Sequence, residues 1–394
     1  MRILVLAPQP FLVPRGTPIA VRMLLETLAW RGDTVDLLTF PDGADVELAR
    51  CRIFRLPALP GLRGIGPGFS ARKLAADALM LPMAAWRMAR TRYDLVISVE
   101  EAMFMAAALK PIFGIPYIAD VDSSMPEQID EKFGLPTWLR RWLDRAEGLA
   151  LRRAFGAITC CRALEETVRG HAPDLPVQTV EDVTMLDSDT PPVVPDECRF
   201  DAPVVMYVGN LEPYQGVDLL MAAFARLDLA ARPAELVVIG GSAVHVAAAR
   251  ERARDLGIAE HAHFLGSRPV DRLGDYLSAA SIVASPRTQG RNTPMKIYSY
   301  LDSGRPLIAT RLETHTQVLD DDIAMLVDPE PDAMAEGLER LLTDASLRSF
   351  LALAAQARVT AEFSPEAYRR KLDLFLIGQI EPRLQTCHSA GAAT

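Results

Sequence analysis

The chain has 394 residues, of which 49% are apolar and 24% charged, enough for two domains that each bury a core. Its formal net charge of −9 argues against a nucleic-acid partner, because a phosphate backbone is held by an overall basic surface. Cys51, Cys160, Cys161, Cys198 and Cys387 show no metal-ligand spacing, which fits a reduced, cytosolic protein.

MRILVLAP opens the chain as a short strand at Ile3–Leu6 running into a loop. Its apolar stretch is too short for a signal peptide or a membrane span, so export is not expected. The loop 7–17, a helix near Ile19–Arg31 and a strand at Thr34–Thr39 complete a βαβ unit. Further strands are expected at Asp94–Ser98, Pro116–Ala119 and Gly156–Thr159, with helical patterns between them. Such alternation implies a parallel sheet covered on both faces. Between Leu48 and Tyr93 nine Lys or Arg stand against the single acid Asp77, which gives this half a basic face. In Thr137–Phe155, Trp138, Trp142 and Leu149 recur at helical spacing with Arg140, Arg141, Arg145, Arg152 and Arg153 between them. Either this helix lies on an anionic membrane, or it sets Trp in the core and Arg in water.

At Asp187–Asp201 the chain becomes rich in Pro and Asp and loses periodicity, which reads as an interdomain linker. The pattern then restarts, with strands at Val204–Val208, Glu235–Ile239, His263–Phe264 and Ile282–Ala284. Between them helices are expected at Gly216–Arg226, Ala243–Leu256 and Arg272–Ala280. The run Ser285–Thr310 reads as strand end, loop, helix and next strand, Leu307–Ala309. Thr293 is a good N-cap and Pro294 suits the first helical position, which leaves the N–H groups of Met295 and Lys296 facing an anion. Gly304 stops that helix about three turns later. The helix 363–383 is expected to return to the first domain, and 384–394 to form a disordered tail. The domains are thus 1–188 and 202–360. Both are Rossmann-like and doubly wound, with ligands expected in a cleft at the carboxyl ends of their strands.

The order of elements, VPRGTPIAV near the start, YVGNLEPYQGVDLLMAAF at Tyr207–Phe224 and TPMKIYSYLDSGRPLIAT near the end resemble glycosyltransferase family 4 of the GT-B fold. The resemblance covers nearly the whole chain. It implies a metal-independent enzyme without a cofactor that moves a sugar from a nucleotide diphosphate sugar to an acceptor with retention of configuration. The donor would lie on the second domain and the acceptor, small or lipid-linked, on the first, with peripheral membrane contact through the basic half.

Carried over residue by residue, the family's diphosphate-binding Arg and Lys fall on Asn210 and Gln215, before Gly216. Its two glutamates fall on Arg291 and Ser299, which leaves Ser299 to meet the ribose. A His near the end of a first-domain strand falls on Asp122, and Asp120 and Asp122 share one side of an extended segment, placed to orient the acceptor or act as base. Gly16 and Thr17 match a pair of small residues that approach the phosphates, with Arg15 beside them. Lys296 then becomes the leading phosphate ligand, supported by Arg291, Asn292, Thr293, Arg287 and Arg268, while His315 lies where the family meets the donor sugar. The alternative is a catalytically degenerate scaffold that partners an active transferase, the history that loss of Arg, Lys and both glutamates would record. Glu100 and Glu101, after the strand Asp94–Ser98, stand at another carboxyl end, where one of them caps the next helix.

Overall fold

In the computed structural model, residues 1–11, 16–44, 46–66, 70–186 and 190–391 are described, with 16, 128, 131–133 and 388–391 by backbone alone. Arg15 and residues 187–189 of the expected linker lie outside them. The chain divides into two compact units, one of residues 1–181 with 368–394 and one of residues 182–367.

The first unit is built on seven parallel strands: β1 (Arg2–Ala7), β2 (Thr34–Thr39), β3 (Cys51–Arg55), β4 (Leu95–Val99), β5 (Tyr117–Val121), β6 (Gly156–Thr159) and β7 (Val177–Thr179). Their order is β3-β2-β1-β4-β5-β6-β7. The second unit carries β8 (Val204–Val208), β9 (Glu235–Ile239), β10 (Ala262–Gly266), β11 (Ile282–Ser285), β12 (Leu307–Thr310) and β13 (Met325–Val327), ordered β10-β9-β8-β11-β12-β13. Every recorded pair of neighbouring strands is parallel. The central strands are buried on both faces, as their unbroken apolar runs require. In each sheet the winding reverses at one point, between β1 and β4 and between β8 and β11. The crevice beyond the carboxyl ends at such a point is where doubly wound sheets take ligands.

Three departures from the sequence reading concern the scaffold. The expected tail is a helix through Gly391: Pro365–Phe375 is followed by a π-helical turn at Leu376–Ile380 and a helix at Glu381–Gly391. That run is held by packing, since Phe375, Leu376, Ile380 and Leu384 are buried. Arg31 also forms ion pairs with Asp33, Asp373 and Glu381. Part of the expected linker belongs to the second unit's core: Cys198 is buried, Glu197 accepts from the Tyr276 hydroxyl at 2.8 Å, and the Val193 N–H donates to Asp275. The basic face is partly spent inward. Arg52 and Arg87 reach the fully buried Asp36, and Lys73 reaches Glu101.

Candidate functional site

In the second unit, β8 ends in a loop whose course is set by close backbone approach. A Cβ on Gly240 would lie 1.9 Å from the Gly209 carbonyl oxygen, and one on Gly209 would lie 3.1 Å from Lys296 Nζ. Tyr207, near the end of β8, is fully buried; its hydroxyl donates to the Asn210 carbonyl at 2.6 Å and lies 3.2 Å from Gln215 Oε1. Lys296 Nζ donates to the same Gln215 oxygen at 3.0 Å and stands 4.0 Å from the centre of the Tyr207 ring. Gln215 and Lys296, 81 residues apart in sequence, therefore meet over one aromatic face.

The electrostatics of this meeting are unusual. The groups recorded beside the Lys296 ammonium are an amide oxygen and a π face, both neutral. Burial and the positive charge of Arg287 together hold its pKa well below the usual lysine range. Arg287 itself is 7% exposed and donates to the Asn292 carbonyl (2.8 Å) and the Thr314 hydroxyl (2.7 Å), with its guanidinium 5.2 Å from the Tyr214 ring centre. Two basic side chains thus stand near enough for one to disfavour the charge of the other, at the carboxyl ends of the second sheet. In the same unit, a hollow of about 420 Å3 lies along the ends of β9 and β10, lined by Gly241, Ser242, Val246, Phe264, Leu265 and Gly266 among others.

The remaining expected donor residues are placed differently. Thr293 does not cap a helix: the helix runs over Lys296–Asp302, two turns instead of three, after a turn closed by the Ile297 N–H on the Pro294 carbonyl. Thr293 is buried and its hydroxyl faces the Gln317 amide at 3.5 Å. Ser299 is fully buried and accepts from the Met185 N–H at 3.0 Å, so its oxygen ties the segment before β8 to this helix instead of presenting itself to a ribose. Arg268 is held by Glu197 at 2.9 Å and by the Leu265 carbonyl, and Arg291 pairs with Glu313 at 3.4 Å. Asn292 contributes its carbonyl to Arg287 and Thr314. Asn210 is exposed, and its side-chain oxygen accepts from the Glu212 N–H at 3.3 Å.

His315 is a core residue. It is fully buried, with Nε2 2.9 Å from the Ser285 hydroxyl and Nδ1 2.8 Å from the Thr310 carbonyl, and burial depresses its pKa to about 3. The hydrogen bond at Thr310 makes Nδ1 the protonated nitrogen and Nε2 the acceptor. Its ordinary pKa is near 6.5, so below that pH the unfolded chain takes up a proton that the folded one refuses. Stability is complete above pH 6.5 and is lost as pH falls towards 3, by about 1.4 kcal/mol per pH unit. Denaturant titrations of the wild type and His315→Gln at pH 7 and pH 4.5 should show this slope in the wild type and lose it in the variant.

In the first unit, Gly16 and Thr17 open the helix Gly16–Trp30, so Thr17 lies within its first turn and not at a cap. Asp120 is on β5 with its carbonyl accepting from the Glu100 N–H at 2.8 Å, and the Asp122 carbonyl accepts from Cys160 Sγ at 3.6 Å. Glu101 precedes the helix Ala102–Phe113 without capping it through its side chain, and pairs instead with Lys73 at 2.6 Å. On the helix Thr137–Arg153 the buried positions are Glu147, Gly148, Ala150 and Leu151, while Trp138 and Trp142 are 71% and 61% exposed. The reading that put those tryptophans in the core is overturned: the buried positions face inward and the aromatic stripe faces out.

Two family models match, one to each half of the chain. Residues 15–181 match the glycosyl transferase 4-like domain, and residues 202–344 match the glycosyl transferases group 1. The chain thus carries two glycosyl transferase domains, one on each of its parallel sheets. A D-inositol 3-phosphate glycosyltransferase of Xylanimonas cellulosilytica is 30% identical over 230 residues, 54% of each chain, so the match spans about half of that relative's length. An alpha-D-kanosaminyltransferase of Streptomyces kanamyceticus is 25% identical over 89% of this chain and 96% of its own. Among solved structures, sucrose-phosphate synthase from Thermosynechococcus elongatus superposes with a TM-score of 0.76 at 21% identity, covering 100% of both chains. Anabaena HepE in complex with UDP-glucose superposes with a TM-score of 0.72 at 18% identity, covering 96% of this chain and 100% of its own.

Proposed function

We propose that this glycosyltransferase moves a sugar from a nucleotide diphosphate sugar to an acceptor hydroxyl with retention of configuration and without a metal. The observation that carries the reading is Lys296, buried against Gln215 and the Tyr207 ring with Arg287 near enough to disfavour its charge. A diphosphate placed there removes that penalty and gains charge-assisted hydrogen bonds. Gln215 and Tyr207 hold the ammonium in position, and the hollow along β9 and β10 offers a nucleoside an apolar and backbone-lined bed. With the leaving diphosphate as the main charge to stabilise, the protein's contribution is orientation and electrostatics. Isothermal titration of the intact chain with UDP, GDP, dTDP and ADP tests it. One of the four is expected to bind, and heat from none of them would overturn the reading in favour of a scaffold that has lost its donor.

The exposed Trp138 and Trp142 lie on a helix that also exposes Arg141 and Arg145, the composition of a helix that rests in a lipid headgroup layer. No helix among the described residues is long and apolar enough to cross a membrane, so the contact would be at the surface. Co-sedimentation with phosphatidylglycerol vesicles is expected to exceed that with phosphatidylcholine vesicles. Arg141→Glu with Arg145→Glu should weaken it by about 1 kcal/mol per charge or more, and equal binding to both lipids would remove the electrostatic argument.

A further inference from the structure

The first unit contains a cavity of about 260 Å3 that neither the diphosphate site nor the exposed helix explains. It opens between the helix Ala71–Arg90, the ends of β4 and β5, and the helix Met125–Phe133. Its lining is partly apolar, with Leu74, Leu81, Phe104, Met125 and Ile129. The rest is polar, with Lys73, Asp77, Glu100, Glu101 and the Ser123 hydroxyl.

The acidic side chains outnumber the basic one. Lys73 Nζ lies 2.6 Å from Glu101 and 3.9 Å from Glu100, so the one ammonium is committed mainly to Glu101. Glu100 accepts from Ser123 at 3.3 Å, and Asp77 Oδ1 is buried with no hydrogen-bond partner. Three acidic side chains and one basic one thus share the lining of this pocket. Burial first, then the neighbouring Glu101, raises both Asp77, to about 8, and Glu100. Glu100 also holds φ +50, a left-handed conformation that a side chain adopts at a cost. Its N–H is tied to the Asp120 carbonyl, which keeps its carboxylate at this end of the sheet. A buried carboxylate left without a partner is costly, and a ligand that brings a cation would relieve it.

We propose that this pocket binds an amphiphilic amine, its ammonium group against Asp77 and Glu100 and its apolar body along the Leu, Met and Phe wall. An anionic head would meet three carboxylates, and a purely apolar ligand would leave Asp77 as it is. The apolar side chains in the same lining favour a cation that carries an organic body. The inference rests on the proposed transferase activity in one respect, that the amine-bearing molecule is the acceptor.

Three six-carbon probes separate the terms: hexylammonium, hexanol and hexanoate, titrated into intact protein labelled at its methionine methyls. Hexylammonium is expected to bind at least tenfold tighter than hexanol, to perturb Met103, Met105 and Met125, and hexanoate to leave them unmoved. Its affinity should rise between pH 6.5 and pH 8.5 as Asp77 ionises beside Lys73, Glu100 and Glu101, since the probe stays charged over that range. Asp77→Asn and Glu100→Gln should each weaken it about tenfold with folding unchanged by circular dichroism. Equal affinity for hexanol and hexylammonium overturns the inference, as does wild-type affinity in both variants. Amine binding by protein that takes no nucleotide diphosphate would sink the transferase reading and leave the amine site standing.

Discussion

Lys296→Met is expected to lower nucleotide diphosphate affinity by about tenfold to a hundredfold and glycosyl transfer by on the order of 10²–10³, the scale for losing a charged donor at a leaving group. The fold should not suffer. Burial first, then the charge of Arg287, hold the folded pKa of Lys296 well below 10.5. The unfolded chain therefore binds that proton more readily, and wild-type stability rises with pH up to 10.5. Removing the ammonium removes this penalty, so the variant should unfold at equal or higher denaturant concentration at pH 7, with the difference shrinking as pH approaches 10.5. A stable variant that binds no diphosphate separates loss of a ligand group from loss of structure. Arg287→Met would not separate them, because Arg287 also holds Asn292 and Thr314. The same linkage predicts proton uptake on diphosphate binding in the alkaline range, measured by titration calorimetry in buffers of different ionisation heat. Lys296→Met with wild-type diphosphate affinity would remove Lys296 from the site.

How far the sequence reveals this molecule depends on what kind of signal each part leaves. The central strands were legible because burial on both faces demands continuous apolar runs, as in RILVL and LVISV. The three strands without a sequence expectation, β3, β7 and β13, are all sheet edges. Cys51–Arg55 carries Arg52 and Arg55, and Val177–Thr179 and Met325–Val327 are three residues long, so none shows a run that distinguishes it from a loop. Gln215 and Lys296 could each be singled out by motif position, but their contact depends on how β8 and β11 pair through Ile282 and Val205, which no local pattern records. Ser299 and His315 were misplaced for the opposite reason. A polar residue near a strand end reads as a ligand until its burial is known, and here a backbone N–H and a core hydroxyl use the polarity up. Trp138 and Trp142 show that helical spacing gives a stripe without saying which stripe is inside. The inner face is Glu147, Gly148, Ala150 and Leu151, and close packing requires the smallest residue only at Gly148, where a Cβ would lie 2.8 Å from His171.

Gly216→Ala should be among the most disruptive single methyls in the donor half, costing roughly 3 kcal/mol or more. Gly216 holds φ +72, joins the 3-10 turn Pro213–Gln215 to the helix Val217–Phe224, and offers no room: an added Cβ would lie 1.8 Å from the Pro286 carbonyl oxygen. The obstacle is backbone, so it cannot swing aside. Relief requires the turn carrying Gln215 or the loop carrying Arg287 to move, and either movement separates the groups that hold Lys296. The left-handed conformation alone costs only about 1–2 kcal/mol, and Gly257 isolates that part, since it has the same φ of +72 with nothing within 4 Å of an added Cβ. Denaturant unfolding should therefore place Gly257→Ala about 1 kcal/mol below wild type with diphosphate binding intact, and Gly216→Ala well below that with binding lost. Equal losses in the two variants would mean that the approach of Gly216 to Pro286 sets neither the stability of this loop nor the position of Gln215.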